Sequence, residues 1–291
     1  MEPGAVRLKV ADLGRVRRFY EDAIGLRLLE RSDDVAQLGA GGRTAVELVA
    51  SPIAKPRPPG TTGLFHLAIV VPGRAELAGA LARIASAGWR LTGASDHLVS
   101  EALYLNDPEG NGIEIYRDRP RSEWRYENGE IRMSTLPLDV DRLLADLPDD
   151  EPGTDAMPAG TRIGHLHLNV ADLDEAQAFY SGVLGFDVTV RGYPGALFFS
   201  TGGYHHHIGV NTWAGPGAPA PPEGSRGLEW LELTVEDQRR LAELEERLER
   251  AEAEHDPVAA GILTRDPCGN GLLVRTAAPR DAATRPAPPD K

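Results

Sequence analysis

Two periodicities take turns along the chain. His165 to Val170 (HLHLNV) alternates apolar and polar positions with the period of a strand, and Ala171-Asp172-Leu173-Asp174 then offers Asp caps to a helix carrying Ala178, Phe179 and Tyr180. Gly185 ends that helix. Strand-like runs follow at Phe186 to Arg191, Ala196 to Ser200 and His206 to Asn211, separated by Gly and Pro turn signals, which makes one βαβββ unit. A second unit begins near Leu228 with a strand to Val235. It continues through a helix with Leu241, Leu244 and Leu248 on one face, and ends in strands around Pro257 to Arg265 and Gly271 to Thr276.

The same scheme occurs earlier in the chain, because the sequence repeats. Residues 11–28 (ADLGRVRRFYEDAIGLRL) return as 171–188 (ADLDEAQAFYSGVLGFDV) at an offset of 160, and residues 107–113 (DPEGNGI) return as 266–272 (DPCGNGL) at an offset of 159. The pattern therefore reads as four modules in two halves. The N-terminal half is 1–118, with modules at 5–50 and 64–118; the C-terminal half is 163–277, with modules at 163–213 and 227–277. Residues 119–162 are polar and proline-rich and read as a linker with a packing role rather than a substrate lid, with a short helix at Val140 to Leu147. The loop at Gly215 to Gly224 and the flexible tail at 278–291 are Pro-rich and irregular.

Composition narrows the function classes. With 291 residues, 41% hydrophobic and 26% charged, the chain has the make-up of an ordinary globular protein with a sizeable core. Its 44 acidic against 31 basic residues give a net charge of −13, which repels phosphate backbones and anionic lipid headgroups and so speaks against nucleic-acid and membrane partners. A lone cysteine, Cys268, excludes an internal disulfide and a thiolate metal cage. The N-terminal residues lack a signal-peptide core and no run reaches the length of a membrane span, so a cytoplasmic location is expected.

The fourfold βαβββ pattern, with Phe-Tyr near the helix end and D-P-x-G-N before the last strand, resembles the vicinal oxygen chelate superfamily. That superfamily contains glyoxalase I, extradiol dioxygenases, and fosfomycin and bleomycin resistance proteins. The resemblance spans residues 5–277; the segments 95–120 and 202–215 look most like two-domain catechol 2,3-dioxygenases. It implies an α+β fold, in which four βαβββ modules pair into two cup-shaped half-barrels. The family pattern places a His eight residues before the Leu of the Asp-Leu pair, and a Glu in the strand after D-P-x-G-N. Module 3 supplies His165, where module 1 has Ala5; module 2 supplies His66 and Glu114, where module 4 has Trp230 and Leu273.

Neither half alone thus holds two histidines and a carboxylate, but together they hold one such set: His66, Glu114 and His165. The resemblance implies a 2-His-1-carboxylate site for Fe(II), with Mn(II) or Zn(II) also compatible, and leaves open positions for a bidentate diol and O2. It also implies that modules 2 and 3 pair into the metal-bearing cup and modules 1 and 4 into a metal-free one. Better-known extradiol enzymes draw their ligands from modules 3 and 4. Taken singly, His66 in its apolar strand reads as a core histidine; Glu114 between Ile113 and Ile115 is costly to bury without a cation or donor.

Further candidates surround this set. In strand alternation His205 and His207 share one face and His206 takes the other; if the register follows Glu114, His207 and Gly209 face the cup, with His207 and His205 as acid/base candidates. The competing reading of the three histidines is a solvent-exposed cluster. Asp96, His97, Tyr193 and His167 are expected at the substrate, His167 sharing the face of His165. The resulting expectation is extradiol cleavage of a catechol-type aromatic diol by O2. The alternatives are a glyoxalase-type lyase or isomerase, which would need a second carboxylate, and a non-catalytic drug-resistance type binding protein. Whether the chain forms a homo-oligomer is left open.

Overall fold

The computed structural model describes residues 1–127, 129–147 and 156–277. The tail expected to be irregular at 278–291 lies outside the described residues, as do residue 128 and residues 148–155 of the connecting segment. Each of the four modules forms as βαβββ. In module 3 these elements are Arg162–Asn169, a helix from Leu173 through Val183, Asp187–Val190, Ala196–Ser200 and Ile208–Asn211. In module 2 they are Gly63–Val71, Arg74–Ser86, Gly93–Asp96, Ser100–Asn106 and Gly112–Asp118.

Two curled sheets result, and each takes one module from either half of the chain. One sheet joins modules 1 and 4 through their first strands, Glu2–Val10 and Gly227–Val235, which run antiparallel. The other joins modules 2 and 3 in the same way, Gly63–Val71 against Arg162–Asn169. Within a module the first strand pairs parallel with the last, as in Gly63–Val71 with Gly112–Asp118. Central position explains the near-continuous burial of the first strands, which are covered on both faces. One apolar cluster, including Leu8, Leu48, Leu67, Ile113, Leu166 and Leu233, lies between the sheets and under the helices.

The repeated motifs tie the two sheets together. Asp266 of D-P-C-G-N accepts hydrogen bonds from the backbone N–H groups of Cys268 and Asn270, at 2.9 and 2.8 Å, and from Asn270 Nδ2 at 2.8 Å; Asp107 holds its own loop in the same manner. Asp266 also accepts a bond from the Tyr180 hydroxyl at 2.9 Å, so the Phe-Tyr motif of module 3 reaches the loop of module 4 in the other sheet. The residue at x has a matching duty in both copies. Glu109 accepts from the backbone N–H of Ala11 at 2.9 Å, and Cys268 Sγ from that of Ala171 at 3.2 Å. In both copies the helix widens to π-helical turns at its end, over Tyr20–Ile24 and Ala178–Val183, and closes at a glycine in the left-handed region, Gly25 or Gly185.

The segment between the halves forms the expected short helix, Val140–Leu144, capped by Asp139. Its strand Leu136–Pro137 extends the sheet of modules 2 and 3, pairing with Gly93–Asp96. Upstream, Trp124 and Ile131 join Val99, Val190, Phe198 and Tyr204 in a separate apolar cluster. No helix among the described residues is long and apolar enough to cross a membrane.

Two outcomes test this account. Tyr180→Phe removes a donor from buried Asp266 and is expected to lower unfolding free energy by about 1–3 kcal/mol. Tyr20→Phe, at a hydroxyl with no hydrogen-bond partner among the described residues, should cost less in the same denaturant titration. The Cys268 thiol is pushed up to about 11 by burial, reinforced by the nearby acidic groups and partly offset by the Ala171 N–H. At pH 8 iodoacetamide should therefore alkylate the native protein roughly a hundredfold more slowly than the unfolded chain, and the native rate should climb as pH approaches that value.

Candidate metal centre

Strand register places His66, Glu114 and His165 around one small residue. Ala68 lies opposite His165 on one neighbouring strand and beside Glu114 on the other, while His66, two residues before Ala68, lies opposite His167. Side chains two apart share a face, so all four polar groups project to the concave side of the sheet. Ala68 is fully buried, and its methyl group leaves the space over which His165 and Glu114 lean toward each other. His66 Nε2 lies 3.0 Å and His165 Nε2 3.1 Å from the same Glu114 oxygen, Oε2. All three residues are buried. Gly164 serves the same face, because a Cβ there would fall 1.8 Å from the Tyr116 hydroxyl that passes over it.

Burial and charge set the protonation of this cluster. Burial alone would raise the Glu114 carboxyl, but His165 and then His66 outweigh it and hold Glu114 well below the usual carboxylate range. Burial pushes the His165 imidazole down to about 4. His167 and His206 are likewise held well below the ordinary imidazole value by burial and by neighbouring imidazoles. At neutral pH the site thus offers an ionised Glu114 carboxylate and an unprotonated His165 ring, the forms that bind a metal.

The donor set fits a divalent cation. Separations of 3.0 and 3.1 Å between donor atoms match the edge of an octahedral site with bonds of about 2.1 Å. His66 Nε2 lies this close to the carboxylate without hydrogen-bond geometry, and it is buried with no other partner among the described residues. No Arg or Lys is among the described residues lining the cavity, so a buried carboxylate is left without a protein cation. Among the described residues this is the single cluster of metal-ligand type.

The cluster lies at the floor of a cavity of about 540 Å³. His97 and Tyr193 line it. His97 Nδ1 is 2.8 Å from the Ser134 carbonyl and its Nε2 2.7 Å from the Tyr104 hydroxyl; Tyr193 shares a 2.5 Å hydrogen bond with Thr135. His167 also lines the cavity, with its ring 5.1 Å from that of His66. Met133 and Thr135 come from the connecting segment, which therefore forms part of the cavity wall as well as packing.

Four expectations change. Asp96 turns away from the cavity, accepting from Arg119 at 2.7 Å and from the Leu98 backbone at 2.8 Å, because His97 takes the inward position. The last strand of module 3 starts at Ile208, so alternation does not reach the three histidines, which lie in the bend before it. His206, rather than His205 or His207, lines the cavity, with its ring 4.1 Å from that of His165. His205 points instead to Asp118, with Nε2 2.9 Å from Oδ1; His207 packs beside Tyr204 and Ser200. All three are buried, which removes the exposed-cluster reading.

Tyr104, Phe65, Phe198 and Trp213 also line the cavity and were absent from the sequence candidates. Tyr104 had a signal, since it pairs directly with Glu114 across the hairpin of Ser100–Asn106 and Gly112–Asp118. In the other sheet the corresponding places hold Ala5, Trp230 and Leu273. There Arg7 lies over Trp230 and pairs with Glu47 at 2.7 Å and Glu229 at 3.1 Å.

Comparison with known proteins places these features in a lineage. The model of the Glyoxalase/Bleomycin resistance protein/Dioxygenase superfamily matches residues 3–115 and 162–274. A Bacillus subtilis (strain 168) protein named catechol-2,3-dioxygenase is 43% identical over 275 residues, covering 93% of this chain and 95% of that one. Among solved structures, one titled as a putative dioxygenase from Bacillus subtilis superposes with a TM-score of 0.65 at 15% identity, over 95% of this chain and 85% of that chain. Glyoxalase I from Zea mays superposes with a TM-score of 0.59 at 16% identity, over 94% and 92%. These two support the fold alone. With both repeats matched by the family model and a 43% identical relative along nearly its whole length, the chain belongs to the Glyoxalase/Bleomycin resistance protein/Dioxygenase superfamily.

Proposed function

We propose that this protein is a metal-dependent extradiol dioxygenase that cleaves a catechol-type aromatic diol with O2. The observation that carries the reading is the convergence of His66 and His165 Nε2 on one oxygen of Glu114, on the floor of an aromatic-walled cavity. The catechol-2,3-dioxygenase name of the 43% identical relative supports the same reaction. His66, Glu114 and His165 would hold the metal, Fe(II) being favoured and Mn(II) or Zn(II) compatible with the ligand types. Bound Fe(II) supplies Lewis acidity toward the two diol oxygens and redox chemistry toward dioxygen.

The chain's own residues supply binding and proton handling. His205 Nε2 lies 2.9 Å from the Asp118 carboxylate, which can only accept while ionised, so we assign the ring the tautomer with Nε2 as donor and Nδ1 as acceptor. His206 Nδ1, 2.7 Å away, then donates to it. That tautomer leaves His206 Nε2 unprotonated on the cavity side, placed to take a proton from a diol and to return it as the ring opens. His205 orients this ring from behind, so the acid/base duty moves to the middle histidine. Tyr104, whose hydroxyl burial and then the Glu114 charge keep protonated, offers a donor beside the carboxylate. His97, Tyr193 and His167 line the space for the substrate. A glyoxalase-type reaction would want a second carboxylate, and Glu114 is the one carboxylate among the described lining residues.

Metal analysis of purified protein should find about one divalent ion per chain. It should be lost in His165→Ala and Glu114→Ala; unchanged metal in His165→Ala would overturn the ligand assignment. Iron-loaded protein mixed with catechol under anaerobic conditions should turn yellow with ring-fission product on admission of air. In the same assay His206→Gln should retain metal and lose about 10²–10⁴ in kcat. His207→Gln, outside the cavity, should lose less than about tenfold.

A further inference from the structure

We infer that this cavity selects catechols bearing an uncharged apolar substituent and turns away catechols bearing a carboxylate. The inference rests on the dioxygenase reading and specifies its substrate class. It is carried by the wall above the metal ligands, which is aromatic and continuous. The His167 ring, beside that of His66, meets Phe65 and Trp213 at 5.3 Å and Phe198 at 5.7 Å. Phe65 meets Trp213 at 5.2 Å, and Tyr193 extends the wall from Phe198 at 5.6 Å.

Two of these rings are at the mouth. Phe65 is 40% and Trp213 47% exposed, among the few large apolar side chains outside the core. An apolar surface left open beside a site is the usual mark of ligand contact. The size of the cavity agrees, since about 540 Å³ falls among sites that take drug-sized ligands and exceeds what one ring with two hydroxyls fills.

Charge argues the same way. The described lining residues include Glu114 but no Arg or Lys. Arg117 and Arg119, on the strand of Glu114 and just after it, are engaged outside the cavity, where both pair with Glu101 and Arg119 also with Asp96. A carboxylate on the substrate would lose its solvation against aromatic rings, with no cation to replace it and with a net charge of −13 around it. An alkyl group in the same place exchanges water for rings. The two CH2-sized groups of an ethyl substituent correspond to about tenfold in affinity.

The test uses the full chain loaded with iron. Bare catechol, 4-ethylcatechol and 3,4-dihydroxybenzoate are titrated anaerobically by quenching of tryptophan fluorescence, then compared by O2 uptake. Binding of 4-ethylcatechol should be about tenfold tighter than that of catechol, and 3,4-dihydroxybenzoate at least roughly tenfold weaker. Trp213→Ala should keep its metal while the ratio of ethylcatechol to catechol affinity falls toward one. Asn106→Arg, at an exposed lining position, should narrow the gap between catechol and the carboxylated compound. If catechol is cleaved but 3,4-dihydroxybenzoate is bound and cleaved as well as 4-ethylcatechol, or if Trp213→Ala keeps the wild-type ratio, the selectivity is overturned and the dioxygenase reading stands. If no catechol is bound or cleaved, both fall.

Discussion

A carboxylate removed from water must be compensated, and in this protein the Glu114 carboxylate has no arginine or lysine at hand. What faces it instead is a pair of imidazole nitrogens at 3.0 and 3.1 Å, delivered by two different strands. That requirement reaches far into the architecture. It needs the first strands of modules 2 and 3 to be adjacent and antiparallel, in a register that puts His165 across from Ala68 and His66 across from His167. It also needs a residue no larger than alanine between Glu114 and His165, since any longer side chain at position 68 would take up the place where the three donors meet.

The motifs most visible in the repeats do something else. Phe-Tyr and D-P-x-G-N lie away from His66, Glu114 and His165 and join one sheet to the other, through Tyr180 on Asp266 and through Glu109 and Cys268 on the backbone that enters the module helices. Their recurrence in both halves follows from this, because both halves must be tied. The His-Glu-His set occurs once because only one cup holds a buried carboxylate with no arginine or lysine lining it among the described residues. In the other, Arg7, Glu47 and Glu229 satisfy one another, and Trp230 occupies the place where its counterpart in the second module is His66.

Around His66, Glu114 and His165 the cavity has two characters. One side carries polar groups held in fixed roles: His97 between the Ser134 carbonyl and the Tyr104 hydroxyl, and His206 backed by His205 and Asp118. The other side is a run of aromatic rings that ends at the open mouth. A flat apolar molecule with two adjacent hydroxyl groups, the substrate class proposed above, would meet both. The segment connecting the halves completes the enclosure through Met133 and Thr135, so the chain uses its own crossing from module 2 to module 3 as a wall.

Local sequence determined the modules, because strand alternation, Asp caps, helix-ending glycines and turn residues act within a few positions of one another. Laying the family's ligand pattern over the four copies was enough to single out His66, Glu114 and His165 as candidates, and the fold brings these three together. Facing was a different matter. The three histidines at 205–207 could be assigned to faces only if the strand already included them, and it begins at Ile208. Asp96 and His97 are neighbours that differ in direction, and an arginine more than twenty residues away holds Asp96 outward. The aromatic wall draws Phe65, Phe198 and Trp213 from separate strands and a loop. Such a surface has no periodic signature, since its members become neighbours only when the sheet curls. The chain by itself specified which elements form and which residues can bind a metal. Tertiary packing decided which side chains share the cavity, because that depends on register, on where a strand starts, and on distant partners competing for the same polar groups.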